Sequence, residues 1–390
     1  MKNRNLLSSV FLLLACTTVA TRAAGPATQP VPLDRPDMFP IGVWLQSPGN
    51  AERYKALGIN VYVGLWEGPT AAQLMELENA GMPVFCDQNA EALKPRWNSE
   101  VLGFLQDDEP DNAQSLGDGK GYGPPVPPEK IVERFRKMHA ADPRPVMLNL
   151  GQGVAWDGWY GRGDRTNKPE DYPRYAAGGD IVSFDIYPAV HEKPEIAGKL
   201  WYVGKGVQRL VKWTDGKKPV WACIECTHIG NARVKPTPEQ VRAEVWMAVI
   251  NGARGILYFS HQFKPKFIEA GLLADPEMSK AVQRINGQIQ ELAPVIRSAA
   301  PEAQAEAKAD GADAGAVAVT TRQRDGITYV FAVGMTDQTV TARIRLPGVS
   351  GDLTVLDEQR QVRANDGAWS DTFKGYEVHL YKMDAIAAKR

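Results

Sequence analysis

The 390-residue sequence has little of what marks several common protein classes. Its formal net charge is −1, so no basic excess points to a nucleic-acid or anionic-membrane partner. Beyond the first twenty or so residues, no apolar run is long enough to span a bilayer. No Gly-rich phosphate loop follows the first strand-like run, which argues against a doubly wound nucleotide-binding sheet. The five histidines are scattered and form no HExxH or similar metal-binding cluster. Four cysteines are too few for a disulfide framework, and Cys223-Ile-Glu-Cys226 has no second CxxC or His pair to complete a zinc site. These cysteines read as small buried apolar residues.

The N-terminus has the pattern of an export signal. Lys2 and Arg4 precede an apolar run from Leu6 to Ala15, and small residues follow, so a signal peptide over 1–23 is expected. Leu13-Leu-Ala-Cys16 resembles a bacterial lipoprotein box, so the expected location is secreted or periplasmic, with lipid anchoring at Cys16 as the variant. Residues 24–40 are Pro-rich and polar, as in a linker.

From there the pattern alternates strand and helix. Strand-like runs occur at Ile41–Leu45, Asn60–Trp66, Pro83–Asp87, Gly103–Asp108, Pro145–Leu150, Ile181–Tyr187, Pro219–Glu225 and Gly255–Ser260. They are short and mostly apolar throughout, as strands buried on both faces of a parallel sheet must be. Amphipathic segments lie between them, among them Thr70–Ala80, Pro128–Ala141, Lys199–Thr214, Thr237–Asn251 and Pro276–Arg297. Eight such units over residues 41–298 predict a (β/α)8 barrel, a fold of about 250 residues. Residues 299–315, rich in Ala, Glu, Asp and Gly, read as a linker. Residues 316–385 alternate apolar and polar between Gly-rich turns, which predicts a small antiparallel β-sandwich.

In such a barrel the chemistry sits at the C-terminal ends of the strands. Glu109 follows the fourth run and Glu225 closes the seventh. A carboxylate at the end of an apolar strand is costly to bury without a task. Two carboxyl groups facing each other across the mouth are what glycosidic hydrolysis requires, one to protonate the leaving oxygen and one to attack carbon. Asp107-Asp108-Glu109 also has the plainer readings of a solvated acidic turn or a cation cluster, though it lacks the spaced ligands of a calcium loop. Other polar groups are expected at the same mouth: Asp87 after the third strand, Asn149 on the fifth, Asp185 and Tyr187 on the sixth, His228 after the seventh, Tyr258 and His261 on the eighth. Trp44 and Trp66, and Trp156 and Trp159 in the long loop 151–179, are candidate stacking platforms for a flat sugar face.

Asp108-Glu109-Pro110, with a second glutamate ending strand seven, resembles the signature of the clan of retaining (β/α)8 glycoside hydrolases called GH-A. The resemblance covers about residues 41–297. It implies that Glu109 is the acid/base, that Glu225 is the nucleophile, and that Tyr187 hydrogen-bonds that nucleophile. It also implies a carbohydrate substrate with β-glycosidic bonds, cleaved with no cofactor or metal. Asp108 stands where the clan has Asn, and an ionised aspartate accepts a hydrogen bond but cannot donate one. The clan's frequent Arg near the end of strand two has no counterpart in Asn60–Trp66. Two further readings remain open: a sugar-binding barrel without turnover, and a hydrolase or lyase working through Asp107, Asp108 and Asp185.

Overall fold

Strands that must be covered on both faces close on themselves here. The computed structural model describes residue 33 and residues 35–311 and 315–383. The expected signal peptide 1–23 with Cys16, the linker up to residue 32 and residues 384–385 of the expected sandwich lie outside the described residues. Strands β1 (Ile41–Trp44), β2 (Val61–Val63), β3 (Val84–Asp87), β4 (Val101–Asp108), β5 (Val146–Leu150), β6 (Ile181–Phe184), β7 (Val220–Glu225) and β8 (Gly255–Phe259) form a closed parallel barrel in sequence order. Each overlaps one of the eight expected runs. Val61, Val63, Phe85, Met147, Ile181, Trp221, Cys223 and Leu257 pack its interior, and a larger core lies between the strands and the surrounding helices.

The helices are α1 (Ala51–Ala56), α2 (Ala71–Ala80), α3 (Pro128–Ala141), α4 (Tyr172–Ala176), α5 (Trp201–Trp213), α6 (Pro238–Ile250) and α7 (Pro276–Ile296). Thr70 and Thr237 start α2 and α6 as capping boxes, each paired with the glutamine three residues on. The eight-unit expectation needs one correction: β3 and β4 are joined without an α-helix. There Asn89 accepts from the Glu91 and Ala92 N–H groups, and a short 3-10 turn at Pro95–Trp97 anchors through the buried Trp97. A side chain that bonds its own backbone offers the chain an alternative to helix.

One irregularity positions the site. Along the β4–β5 ladder, Leu105 pairs with Met147 but Asp108 pairs with Asn149, so β4 carries one extra residue. Such a bulge re-aims the side chains that follow it. Odd-numbered Leu105 faces the barrel core, yet Asp107 forms an ion pair with Arg134 of α3, and Asp108 takes the inward position.

The C-terminal part is a two-sheet sandwich. Strands β10 (Val317–Arg324), β11 (Ile327–Gly334), β16 (Val378–Met383), β13 (Gly351–Val355) and β14 (Arg360–Ala364) form one sheet, in that spatial order. Strands β15 (Ala368–Phe373), β12 (Val340–Arg345) and β9 (Glu306–Ala309) form the other. β9 lies inside the stretch expected to be a linker: Ala307 and Ala309 pair with β12 and pack on the sandwich core, because small residues fit an edge strand as well as they fit a tether. The sandwich docks on the barrel through α6, where Trp246 meets Phe331 at 5.1 Å between ring centroids.

Candidate active site

The ends of β4, β5 and β6 converge on a cavity of about 300 Å³ at the C-terminal mouth. It is lined by Trp44, Asp108, Glu109, Asn149, Gln152, Trp159, Asp185, Tyr187, Cys223 and Phe259. None of these side chains is basic.

Glu109 is held by its own backbone. It follows β4 with φ 43°, in the left-handed region that a residue with a long side chain seldom occupies. Its N–H donates to the Asn149 carbonyl at 3.1 Å, fixing the strained residue to β5. Backbone strain of this kind costs of order 1–3 kcal/mol and persists only where the surroundings enforce it. The enforcement comes from below. Asp111, fully buried, accepts from the Gly151 N–H at 2.9 Å and from the Tyr172 hydroxyl at 2.8 Å, and Arg162 Nε donates to its carbonyl at 3.2 Å. Arg162 is itself buried and pairs with Asp171 at 2.8 Å. This network ties the turn after Glu109 to the long loop after β5. A Cβ at position 151 would stand 2.9 Å from Glu109 Oε1 and 2.8 Å from Asn112 Nδ2, so any larger residue displaces those side-chain ends.

The Glu109 carboxyl stands beside that of Asp185, which follows β6, and both line the cavity. Burial first, then the Asp185 charge, pushes the Glu109 carboxyl well above the usual carboxylate range. Burial also pushes Asp185 up, while a hydrogen bond from Tyr187 Oη at 3.1 Å acts the other way. Asn149 Nδ2 donates to Asp108 Oδ1 at 2.9 Å and Ser183 Oγ donates to Asn149 Oδ1 at 2.7 Å, which fixes the amide's orientation. Asp108 borders the solvent of the cavity, yet enough protein surrounds it that burial still raises its carboxyl.

Glu225 is elsewhere. Alternation from Trp221 and Cys223 predicts that it points into the mouth, but its carboxyl is fully buried and does not line the cavity. The N–H groups of Ala189 and Val190, in the turn after β6, donate to its two oxygens at 2.6 and 2.9 Å. The carboxyl of Glu244 of α6, also fully buried, lies beside it. Paired backbone donors stabilise a carboxylate strongly enough to draw it out of the alternating pattern. The expectation that the two glutamates face each other at the mouth is corrected accordingly. So is the partner of Tyr187, whose hydroxyl bonds Asp185 rather than Glu225.

The other expected residues divide. Asp108, Asn149, Asp185, Tyr187 and Trp44 line the cavity. Asp87 and Trp66 line a neighbouring one, which shares Trp44 and Asp108 with the first. Tyr258 is buried against α7 and donates to Asn286 at 2.9 Å; its neighbour Phe259 reaches the cavity instead. Period-two counting from the interior Leu257 gives this assignment. His261 is buried beside the Gln46 amide, 3.3 Å away, outside the cavity. His228 lies close to the Asn231 and Val234 carbonyls in the loop after β7 and does not line it either. Of the two loop tryptophans, Trp159 lines the cavity, its Nε1 donating to Asn112 at 2.8 Å, while Trp156 packs behind it at 5.9 Å between ring centroids. Gln152 had no sequence signal, being one polar residue in a loop.

No protein-family model and no curated protein matches the sequence. Solved structures do match the fold. A protein described as a candidate α-galactosidase from Bacteroides fragilis is 11% identical over 89% of this chain and 79% of that one, with a TM-score of 0.53. A maltogenic α-amylase from Thermotoga neapolitana is 8% identical over 90% and 99%, with a TM-score of 0.52. An α-amylase from Lactobacillus plantarum is 14% identical over 90% and 100%, at 0.50. The likeness is one of fold.

Proposed function

We propose that the protein is a glycoside hydrolase that binds a neutral sugar in the barrel-mouth cavity, with Glu109 as the proton donor. The meeting of Glu109 and Asp185 in one cavity at the barrel mouth, between Trp44 and Trp159, is the observation that carries this reading. A carboxyl kept protonated by burial and a neighbouring charge is what the leaving oxygen of a glycosidic bond needs. Trp44 and Trp159 flank the cavity for the apolar face of a ring, and Asp108, Asn149 and Gln152 supply hydrogen-bonding groups for hydroxyls. With three carboxyl groups and no basic side chain in the lining, a uronate or sugar phosphate is disfavoured.

In the reaction Glu109 gives its proton to the glycosidic oxygen as the bond to the anomeric carbon breaks. Asp185 stabilises the positive charge that develops there. Water then adds to the anomeric carbon, and its proton returns to the carboxyl pair, leaving a free sugar and a free alcohol. Glu225 is sealed away from the cavity, which does not favour the double-displacement mechanism with a Glu225 nucleophile. Export, by the signal over 1–23, fits a substrate met outside the cytoplasm.

A sugar-binding barrel without turnover is the second reading, favoured by the sealed position of Glu225. Reducing-sugar release from α- and β-linked glycosides separates the two. Turnover by the wild type that falls by about 10³-fold in Glu109→Gln supports the enzyme. Binding without release in both proteins overturns it.

A further inference from the structure

The cavity over Glu109 does not end at Trp44 and Asp108. Those two residues also form a wall of a second cavity of about 610 Å³, reaching over the ends of β2, β3 and β4. Three features of it point to a ligand. Trp66 leaves 70% of its surface in water, which for the largest apolar side chain is an unusual exposure. It is also held in place: Gln73 of the α2 capping box donates to its carbonyl at 2.9 Å, so the indole sits on a defined turn. The Asp87 carboxyl at the end of β3 borders the same cavity, open to solvent, and its partial burial raises it. On the far side the floor is closed by the Arg134–Asp107 ion pair, which satisfies both charges internally. An exposed aromatic face on a fixed turn, a carboxyl open to the cavity and a charge pair that neutralises itself suit a ring with one apolar face and a rim of hydroxyls.

Resting on the glycosidase reading of the first cavity, we propose that this second cavity binds the adjoining sugar of the substrate. The ring lies on Trp66, and Asp87 accepts from its hydroxyls. The linkage between the two sugars crosses at Asp108 and Trp44, beside the Glu109 proton. The substrate is then a neutral oligosaccharide of at least two units. Its affinity comes from the β2–β3 side of the mouth, and a single sugar fills only the first cavity.

A length comparison tests this. Wild type, Trp66→Ala and Asp87→Ala are assayed on α- and β-linked di-, tri- and tetrasaccharides of glucose, galactose, mannose and xylose. The glycosyl fluorides of the same sugars, whose leaving group is one atom, are assayed alongside. The ratio of kcat/KM for the best oligosaccharide to that for its fluoride is expected to fall about tenfold or more in Trp66→Ala, through KM. An unchanged ratio overturns the proposal, whether or not the absolute rates fall. If the wild type hydrolyses nothing, the enzyme reading fails separately, and titration calorimetry with the tetrasaccharides decides the subsite. Binding weakened about tenfold by Trp66→Ala supports it; equal binding, or none to the wild type, overturns it.

Discussion

Asp185 and Glu109 come from different strand ends and stand side by side in the mouth cavity, where burial and then the Asp185 charge raise the Glu109 carboxyl. Asp185→Asn removes the negative neighbour while keeping shape. The Glu109 pKa then falls while burial still holds it raised, and less of it is protonated near neutral pH. The basic limb of the pH–rate profile is expected to move to lower pH, with a fall in kcat. A limb that stays in place would detach Asp185 from the acid.

Gly151 is the position where the long loop passes closest to that acid. Gly151→Ala places a methyl group against Glu109 Oε1 and the Asn112 amide, both ends of movable side chains. The chain can yield there at little cost in stability, but Glu109 cannot keep its place. We expect kcat to fall by about tenfold or more, as small misplacements of catalytic groups do, with Tm shifted by only a degree or two. A large loss of Tm with normal kcat would contradict this.

Asp111 supports the same turn without touching the cavity. Asp111→Ala leaves the Gly151 N–H and the buried Tyr172 hydroxyl without their acceptor. Each unsatisfied buried donor costs about 1–3 kcal/mol, so denaturant unfolding should show a loss of roughly 2–5 kcal/mol. Asp111→Asn keeps an acceptor oxygen and should recover part of it.

Glu225 and Glu244 are both fully buried side by side, with no basic group among the causes that shift either. Burial pushes Glu225 up to about 7 and raises Glu244 well above the usual range. A carboxyl whose pKa is raised by folding stabilises most when protonated in both states. This pair's contribution is therefore complete below about 4.5 and lost as pH rises through about 7. Tm should fall between pH 5 and pH 8 on this account. Glu244→Gln, which is neutral and can donate to Glu225, should flatten that slope and raise Tm at pH 8. Equal slopes in the two proteins would remove the pair from the pH dependence.

Glu225→Gln asks a different question. The amide offers one acceptor where the Ala189 and Val190 N–H groups now find two, so a stability loss of about 1–3 kcal/mol is expected. Turnover per folded molecule should stay within about tenfold of wild type, because the side chain does not reach the cavity. A loss of several orders of magnitude in folded protein would make Glu225 the nucleophile after all.

The sequence by itself determined the barrel, because its signals are local. Eight short apolar runs, capped helices between them and an acid after the fourth strand can all be read from neighbours a few residues apart. It also determined Glu109, Asn149 and Asp185 as polar residues near strand ends. What only the tertiary structure decided is where the side chains at those ends point and what they meet. An extra residue in β4 turned Asp108 inward and gave Asp107 to Arg134. Two N–H groups after β6 took Glu225 away from the mouth, and Asp185 became the partner of Glu109 instead. Alternation fixes a side chain's direction only while the ladder is regular. At a bulge or a strand's last residue, the hydrogen-bonding groups brought close by the rest of the chain set it.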